Sequence, residues 1–266
     1  MIDCEKIKQN ISTTLLGSEV HCFDVLDSTN THILDLARSG APEGTLVISD
    51  LQTSGRGRLG KQWRSPAGKN LLFSLLLKPE LPIEFTQKIT LAAAYILART
   101  LERFLQKQDI LNIQIDLKWP NDLLVQGKKI AGILTESILQ DKKIVALAIG
   151  FGVNINMSAE DFPEDLREKA TSLFLACDRL LNREDLLLFF LHEFEVAYQR
   201  LERTRYRQVV QNWKKHCRQF NQPISIKTAT GEEKAVFHDV SEEGYLVYRD
   251  ESGAVKQLIS GEVICY

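Results

Sequence analysis

The segment KWPNDLLVQGKKIAGILTESILQDKKIVALAIGFGVNIN, residues 118–156, decides the fold. It reads as strands near 123–125, from Lys128 to Ile138 and from Lys143 to Ile155, each dense in aliphatic residues. Short turns at Gln126-Gly127 and at Gln140–Lys142 separate them, so the pairing is an antiparallel meander. Gly150 and Gly152 fall inside the last strand, where a glycine marks a bulge or something close against the backbone. Asn154 and Asn156 put polar groups at the end of that apolar run, which a strand-end turn would also use. Alternation sets Lys129 with Ala131 and Ile133, and Lys128 with Ile130 and Leu134. Both faces are apolar, so parity leaves open which lysine points inward.

Upstream, EVHCFDVL (19–26), TLVISDL (45–51), LLFSLLLK (71–78) and a stretch near 113–118 read as further strands. Ile7, Ile11 and Leu15 at helical spacing predict an opening helix that ends at Gly17. DSTNTHILDLARSG predicts a helix capped by Asp27 or Ser28 and closed by Gly40. A longer helix is expected over roughly 84–107, and a helical pattern from about 160 to 217 carries a core stripe of Leu186, Phe189, Phe190, Phe194 and Ala197. Beyond Pro223 the pattern changes to short alternating strands, ISIKT, EKAVFHDV, YLVYR and AVKQLIS, with turn glycines at 231, 244 and 253. The expected class is α+β: a mixed or antiparallel sheet flanked by helices over 1–219, with a small β-barrel over 220–266. So small a barrel needs its neighbour to pack on.

With 266 residues, 44% of them hydrophobic, the chain can build a sizeable core without crosslinks. Thirty-three Lys and Arg against 35 Asp and Glu argue against a domain that grips nucleic acid by overall charge. The start, MIDCEKIKQN, does not look like a signal peptide, and the most apolar runs are too short to span a bilayer. No membrane association is expected, and the predicted location is the cytoplasm. Five scattered cysteines, Cys4, Cys22, Cys177, Cys217 and Cys265, never in C-x-x-C spacing, predict small buried hydrophobes in a reducing compartment, with neither a disulfide scaffold nor a zinc site.

The most informative chemistry lies in QTSGRGRLGKQWRSPAGKN, residues 52–70. Arg56, Arg58, Lys61, Arg64 and Lys69 sit there among four glycines with no acid, the nearest being Asp50 and Glu80. Glycines let a ligand approach the backbone, and guanidinium forks match phosphate oxygens. The stretch reads as an anion-binding loop for a nucleotide phosphate, with a merely solvated basic loop as the alternative. Gly55, Gly57 and Gly60 satisfy G-x-G-x-x-G, but Pro66 and Gly68 follow where that dinucleotide fingerprint needs a helix. Gly68-Lys69 is followed by Asn70, so there is no Walker loop either. In the other segment, Pro120-Asn121-Asp122 forms a turn between strands, Trp119 suits the core, and Asp122 has a use within its own turn.

DSTN at 27–30, QTSGRGRLGKQW at 52–63, KWPNDLLV with KKIAGIL at 118–134, and GFGVNIN at 150–156 together closely resemble the biotin protein ligases. The resemblance runs from about residue 20 to 160, and the C-terminal β unit with its ISGEV ending is similar to that family's SH3-like domain. It implies the monofunctional type, because too few residues precede Ser28 for the helix-turn-helix module of the repressor members. It places Ser28, Thr29, Asn30 and Gln52 around biotin, and Gly55, Arg56, Gly57 and Arg58 in a loop over biotin and the adenylate phosphate. Trp63 is implied to stack on adenine, with Asn121, Gly152 and Asn154 also on the nucleotide. Lys129 is implied at the biotin carboxylate and the reacting phosphate. One departure is plain: many members end in GEVSLR or similar, whereas this chain ends in GEVICY.

The implied reaction joins biotin to a lysine of a biotin carboxyl carrier protein or domain, with ATP as the second substrate and Mg²⁺ on the departing pyrophosphate. The residues suit it independently. Biotin carboxylate must attack an anionic α-phosphate, so fixed cations are needed, and Arg56, Arg58 and Lys129 supply them. The product, biotinyl-5′-AMP, is then attacked by a carrier lysine, of which only about 0.04% is neutral at pH 7. Asp122 is the candidate to orient or deprotonate that amine. A lipoate or octanoate ligase is the runner-up, although its pocket has no need for Gln52 and the DSTN polar groups. A non-enzymatic biotin-binding module is the third reading, and it has no need of a phosphate site. A homodimer is compatible with the sequence, and no ligands for a metal are assigned.

Overall fold

The structure is a computed structural model that describes residues 2–204, 206–228 and 231–265. A short helix, α1 (Cys4–Asn10), precedes β1 (Val20–Leu26), α2 (Thr29–Arg38), β2 (Leu46–Gln52) and β3 (Leu71–Leu77). The long α3 (Thr86–Lys107) leads to β4 (Asp116–Lys118), β5 (Asp122–Val125), β6 (Lys128–Gln140) and β7 (Lys143–Val153). Then come α4 (Leu173–Cys177), α5 (Arg183–Arg203) and α6 (Val209–Lys214). The strands form one mixed sheet in the order β1-β2-β3-β7-β6-β5-β4, parallel only between β1 and β2. The expected meander is there, β5, β6 and β7 lying side by side and antiparallel.

Alternation sorts the sheet into two unequal faces. Leu147, Ile149, Phe151 and Val153 of β7 join Leu71, Phe73 and Leu75 of β3 in the large core under α3 and α5. Phe73 stacks on Phe151 at 4.8 Å, and Phe190 and Phe194 of α5 close over them. The opposite face of β7 carries Ala146 and Ala148, packed with Val47, Leu76 and Ile33 and Leu34 of α2. Small residues therefore bring α2 close to the sheet, with Ser28 as its N-cap.

The C-terminal unit has β8 (Pro223–Thr228), β9 (Gly231–Val240), β10 (Leu246–Asp250), β11 (Val255–Leu258) and β12 (Glu262–Cys265) in one antiparallel sheet, ordered β11-β10-β9-β8-β12. The fifth strand was not among the expected ones; its few residues gain their pairing only from β8. The unit docks as anticipated. The buried Trp119 donates its indole N–H to the Gly244 carbonyl at 3.0 Å, and Lys214 of α6 pairs with Asp239.

Other expectations need correction. The opening helix stops at Asn10 rather than Gly17, because the backbone N–H groups of Thr14, Leu15 and Leu16 are taken by the Glu195 carboxylate, each at 2.8 Å. The stretch from 160 to 217 is not one helical run: Pro163 and the caps Ser172 and Asn182 divide it into short turns and separate helices. Cys4 and Cys22 are joined in a disulfide that ties α1 to β1. The packing of α1 brings their Cα atoms to 6.0 Å although they stand 18 residues apart, a proximity that spacing rules miss. Of the remaining described thiols Cys217 is buried as expected and Cys177 is only partly so; the Cys265 side chain lies outside the described residues.

Candidate active site

On the α2 face the β7 row shrinks from Ala146 and Ala148 to Gly150 and Gly152, and a cavity of about 660 Å³ opens over the glycines. These positions admit no side chain. A Cβ on Gly150 would lie 2.3 Å from the Asn30 Oδ1, and one on Gly152 would lie 2.6 Å from the Trp63 ring. Gly132, paired with Gly152, is crowded but less so: its Cβ would stand 3.1 Å from both Trp63 and the Lys129 ammonium. Close approach, not a bulge, explains the glycines of this strand.

At one end Ser28, Thr29 and Asn30 are buried at the start of α2. Gln52 Oε1 accepts from the Thr29 N–H at 2.7 Å and from its hydroxyl at 3.1 Å. Ser74 Oγ donates to Asn30 Oδ1 at 2.6 Å and lies 2.7 Å from Thr29 Oγ1. Asn30 Nδ2 donates to the Leu134 carbonyl and to Glu136 Oε2, at 3.1 and 2.9 Å. The same Glu136 oxygen holds the Arg56 guanidinium at 2.8 Å.

Lys129 is the inward lysine. Its Nζ lies 2.5 Å from Asp122 Oδ1 and 5.6 Å from the centre of the Trp63 ring. A register shift between β5 and β6 at Leu123–Leu124 breaks the alternation, so Lys129 reaches the side of Gly132 rather than that of Ala131 and Ile133. Lys128 points outward to Glu168 at 3.3 Å. Arg58 sits with its guanidinium carbon 5.9 Å from the Trp119 ring centre. Burial lowers its pKa, against the attraction of Asp122 and Glu262, and it remains a cation throughout the physiological range. Asn121 Nδ2 donates to the Ile133 carbonyl at 2.5 Å and the Ile133 N–H donates back to the Asn121 carbonyl, pinning the turn after the cis Trp119–Pro120 bond. Asn154 Nδ2 donates to the Thr171 carbonyl and its oxygen accepts from Asn70, both at 3.1 Å.

The segment 53–70 joins β2 to β3 and covers the cavity, crossed by a bridge between Arg56 and Gln62. Arg58–Gly60 makes only a single 3₁₀ turn, so the dinucleotide pattern is indeed accidental. Leu59 gives no apolar anchor; it is exposed with φ 54°. Having no acid of its own, the loop finds them elsewhere: Arg56 on Glu136, Lys61 on Glu262 of β12 and Lys69 on Asp161. Lys227, Glu262 and Ile264 of the C-terminal sheet complete one wall.

Ser28, Thr29, Asn30, Gln52, Arg56, Gly57, Arg58, Trp63, Asn121, Asp122, Lys129, Gly152 and Asn154 all line this one cavity. Gly55 does not; it lies behind the loop, where its carbonyl accepts from the Trp63 N–H at 2.9 Å. Ser74, Glu136, Lys118 and Lys227 escaped the sequence reading. Ser74 and Glu136 face the site only through register, opposite Gly150 and Ala148, which no local motif announces.

The profile of the Biotin/lipoate A/B protein ligase family matches residues 22–154. The bifunctional ligase/repressor BirA of Bacillus subtilis is 32% identical over 258 residues, covering 97% of this chain and 77% of that protein. This chain belongs to that ligase family. Within it, the chain is 28% identical to the biotin–[acetyl-CoA-carboxylase] ligase of Paracoccus denitrificans, over 85% of this chain and 92% of the relative. The structure of biotin protein ligase from Aquifex aeolicus in complex with biotin and ATP superposes with a TM-score of 0.75 at 27% identity, covering 92% of this chain and 97% of that one. Among the described residues no helix is long and apolar enough to cross a membrane, and no cluster of three or more His, Cys, Asp or Glu side chains could hold a metal ion.

Proposed function

We infer that this chain is an ATP-dependent ligase that activates biotin as biotinyl-5′-AMP and transfers it to a lysine of a biotin carboxyl carrier protein or domain. One observation carries the reading: a buried polar pocket at Ser28–Asn30 and a glycine floor under Trp63 meet at Lys129 within one cavity. Ser28, Thr29, Asn30 and Gln52 offer donors and acceptors to the biotin ring system, and the paired Gly132 and Gly152 let the Trp63 ring lie close against the sheet. Trp63 stacks on adenine, while Asn121 and Asn154 shape the nucleotide end.

Bringing the biotin carboxylate to about 4 Å from an α-phosphate charge costs about 4 kcal/mol at an effective dielectric of 20. Lys129 and Arg58 offset that repulsion and hold the charge that builds as the carboxylate oxygen bonds phosphorus and pyrophosphate departs. Arg56, tied to Glu136, closes the loop over biotin. Lys129 is paired with Asp122. When its ammonium turns to the reacting oxygens, Asp122 is left to accept the proton of the carrier lysine as that amine attacks the acyl carbon and AMP leaves. A magnesium ion would be carried by the ATP phosphates and would supply charge neutralisation on the departing pyrophosphate. We place the division of the chain at 219/220, the location in the cytoplasm, and leave nucleic acid out of the function.

The test is incubation with ATP, Mg²⁺, radiolabelled biotin and a carrier domain. Label on the carrier lysine is the expected result; transfer of lipoate or octanoate instead would overturn the choice of acid, and biotin binding without turnover would reduce the chain to a binding module.

A further inference from the structure

Arg183 opens α5 and is almost fully buried, 7% exposed. A buried cation at the positive end of a helix is disfavoured twice, by desolvation and by the helix dipole. Its neighbours Glu184 and Asp185 point elsewhere, to the N-terminal segment. One nitrogen of its guanidinium donates to Asp50 Oδ1 at 2.7 Å and to the Asn70 carbonyl at 2.9 Å. Asp50 lies two residues before the end of β2 and Asn70 immediately before β3, so they stand on the two stems of the cationic loop. The pairing of Ser49 with Leu72 sets them across from each other at its base.

The link does not end there. Asn70, itself fully buried, donates to Asn154 Oδ1 at 3.1 Å, and its own side-chain oxygen accepts from the Ile155 N–H at 3.0 Å. A single cation thus joins both ends of the loop that carries Arg58 and Trp63 to the strand end that carries Asn154. Fold maintenance alone would be met as well by apolar groups of similar volume. Asn30, at the biotin end, has its own supports in Ser74 and Glu136, and neither runs through Arg183.

We propose that Arg183 is a positioning residue that acts chiefly on the nucleotide end: by clipping Asp50 to Asn70 it holds the Asn70 stem, and through Asn70 the strand end at Asn154, in place for ATP. The proposal rests on the ligase reading above. Arg183→Met alone would remove the cation beside the buried Asp50 carboxylate, so the decisive variant is R183M/D50N, which removes both charges of the pair. Asn70→Ala is the independent second variant, cutting the relay beyond the clip. Each is checked by thermal melting, by calorimetric biotin affinity and by the KM for ATP in biotin-dependent pyrophosphate exchange. The expected result in both variants is an ATP KM raised at least tenfold, with biotin affinity lowered by a clearly smaller factor. An ATP KM within twofold of the parent in either variant, or biotin and ATP weakened equally, would overturn it. A parent protein that shows no biotin-dependent exchange would defeat the ligase reading instead, so the two failures are distinct.

Discussion

Lys128 and Lys129 are chain neighbours with opposite surroundings, one on exposed Glu168 and one inside against Asp122 and Trp63. Losing a transition-state donor costs about 3–4 kcal/mol, so Lys129→Ala should slow adenylate formation by about 10²–10³ while Lys128→Ala stays near the parent. Equal losses in pyrophosphate exchange would mean the wrong lysine was chosen. Local alternation could not make that choice, because the register shift opposite Leu123–Leu124 turns Lys129 onto the Gly132 face, and only the resemblance singled it out. Arg58 permits a second test. It lies 5.9 Å from the Trp119 ring centre, partly desolvated, and the role proposed for it is retention of the adenylate. Arg58→Gly should leave biotin affinity little changed and release biotinyl-AMP, seen as biotin on bystander proteins such as serum albumin. Bystander labelling no higher than the parent's, with adenylate synthesis intact, would remove the retention role.

At the scale of elements, the segment 53–70 is held by ion pairs to Glu136, Glu262 and Asp161 and by the Trp63 ring on Gly132 and Gly152, while Leu59 faces solvent. Ordering such a loop on a ligand costs conformational entropy that new contacts must offset. Saturating biotin should therefore slow protease cleavage within 52–70, and cleavage at an unchanged rate would contradict closure over biotin. The loop's cations were legible in the sequence as a cluster without acids, whereas their partners were not. Glu136 is 80 residues from Arg56, and Glu262 is 201 from Lys61. Strands and hairpins were legible because their pattern is local: the meander from Lys128 to Val153 and the docked β unit followed from alternation and turn glycines. What failed was set by tertiary contact: the early end of α1 at the Glu195 carboxylate, the Cys4–Cys22 bond and the pairing of β12 on β8.

Across the whole molecule, Glu195 fastens the N-terminal segment to α5, accepting from the N–H groups of Thr14, Leu15 and Leu16 and from the Thr14 hydroxyl. Burial alone would raise its pKa, but these hydrogen bonds together outweigh it and hold the carboxyl below the usual glutamate value. Its folded pKa is thus below its unfolded one, so the stabilisation is full above the unfolded value near ~4.3 and is lost as pH falls through the folded value. Glu195→Gln should lower the unfolding free energy by about 2 kcal/mol at pH 7, with the gap from the parent closing in acid. Urea midpoints across that range check it, and a gap independent of pH would show that the charge is not what matters.

The two ends of the cavity meet at Lys129, and the central claim is that an acid is activated there before any carrier is present. The most direct measurement is to mix the protein with biotin, Mg²⁺ and ATP labelled on the α-phosphate, without carrier, and to separate the products bound to the protein. The expected product is labelled biotinyl-5′-AMP that disappears in Lys129→Ala and is consumed when a carrier domain is added. Labelled AMP with no biotinyl adduct, or an adduct formed equally well with lipoate, would contradict it.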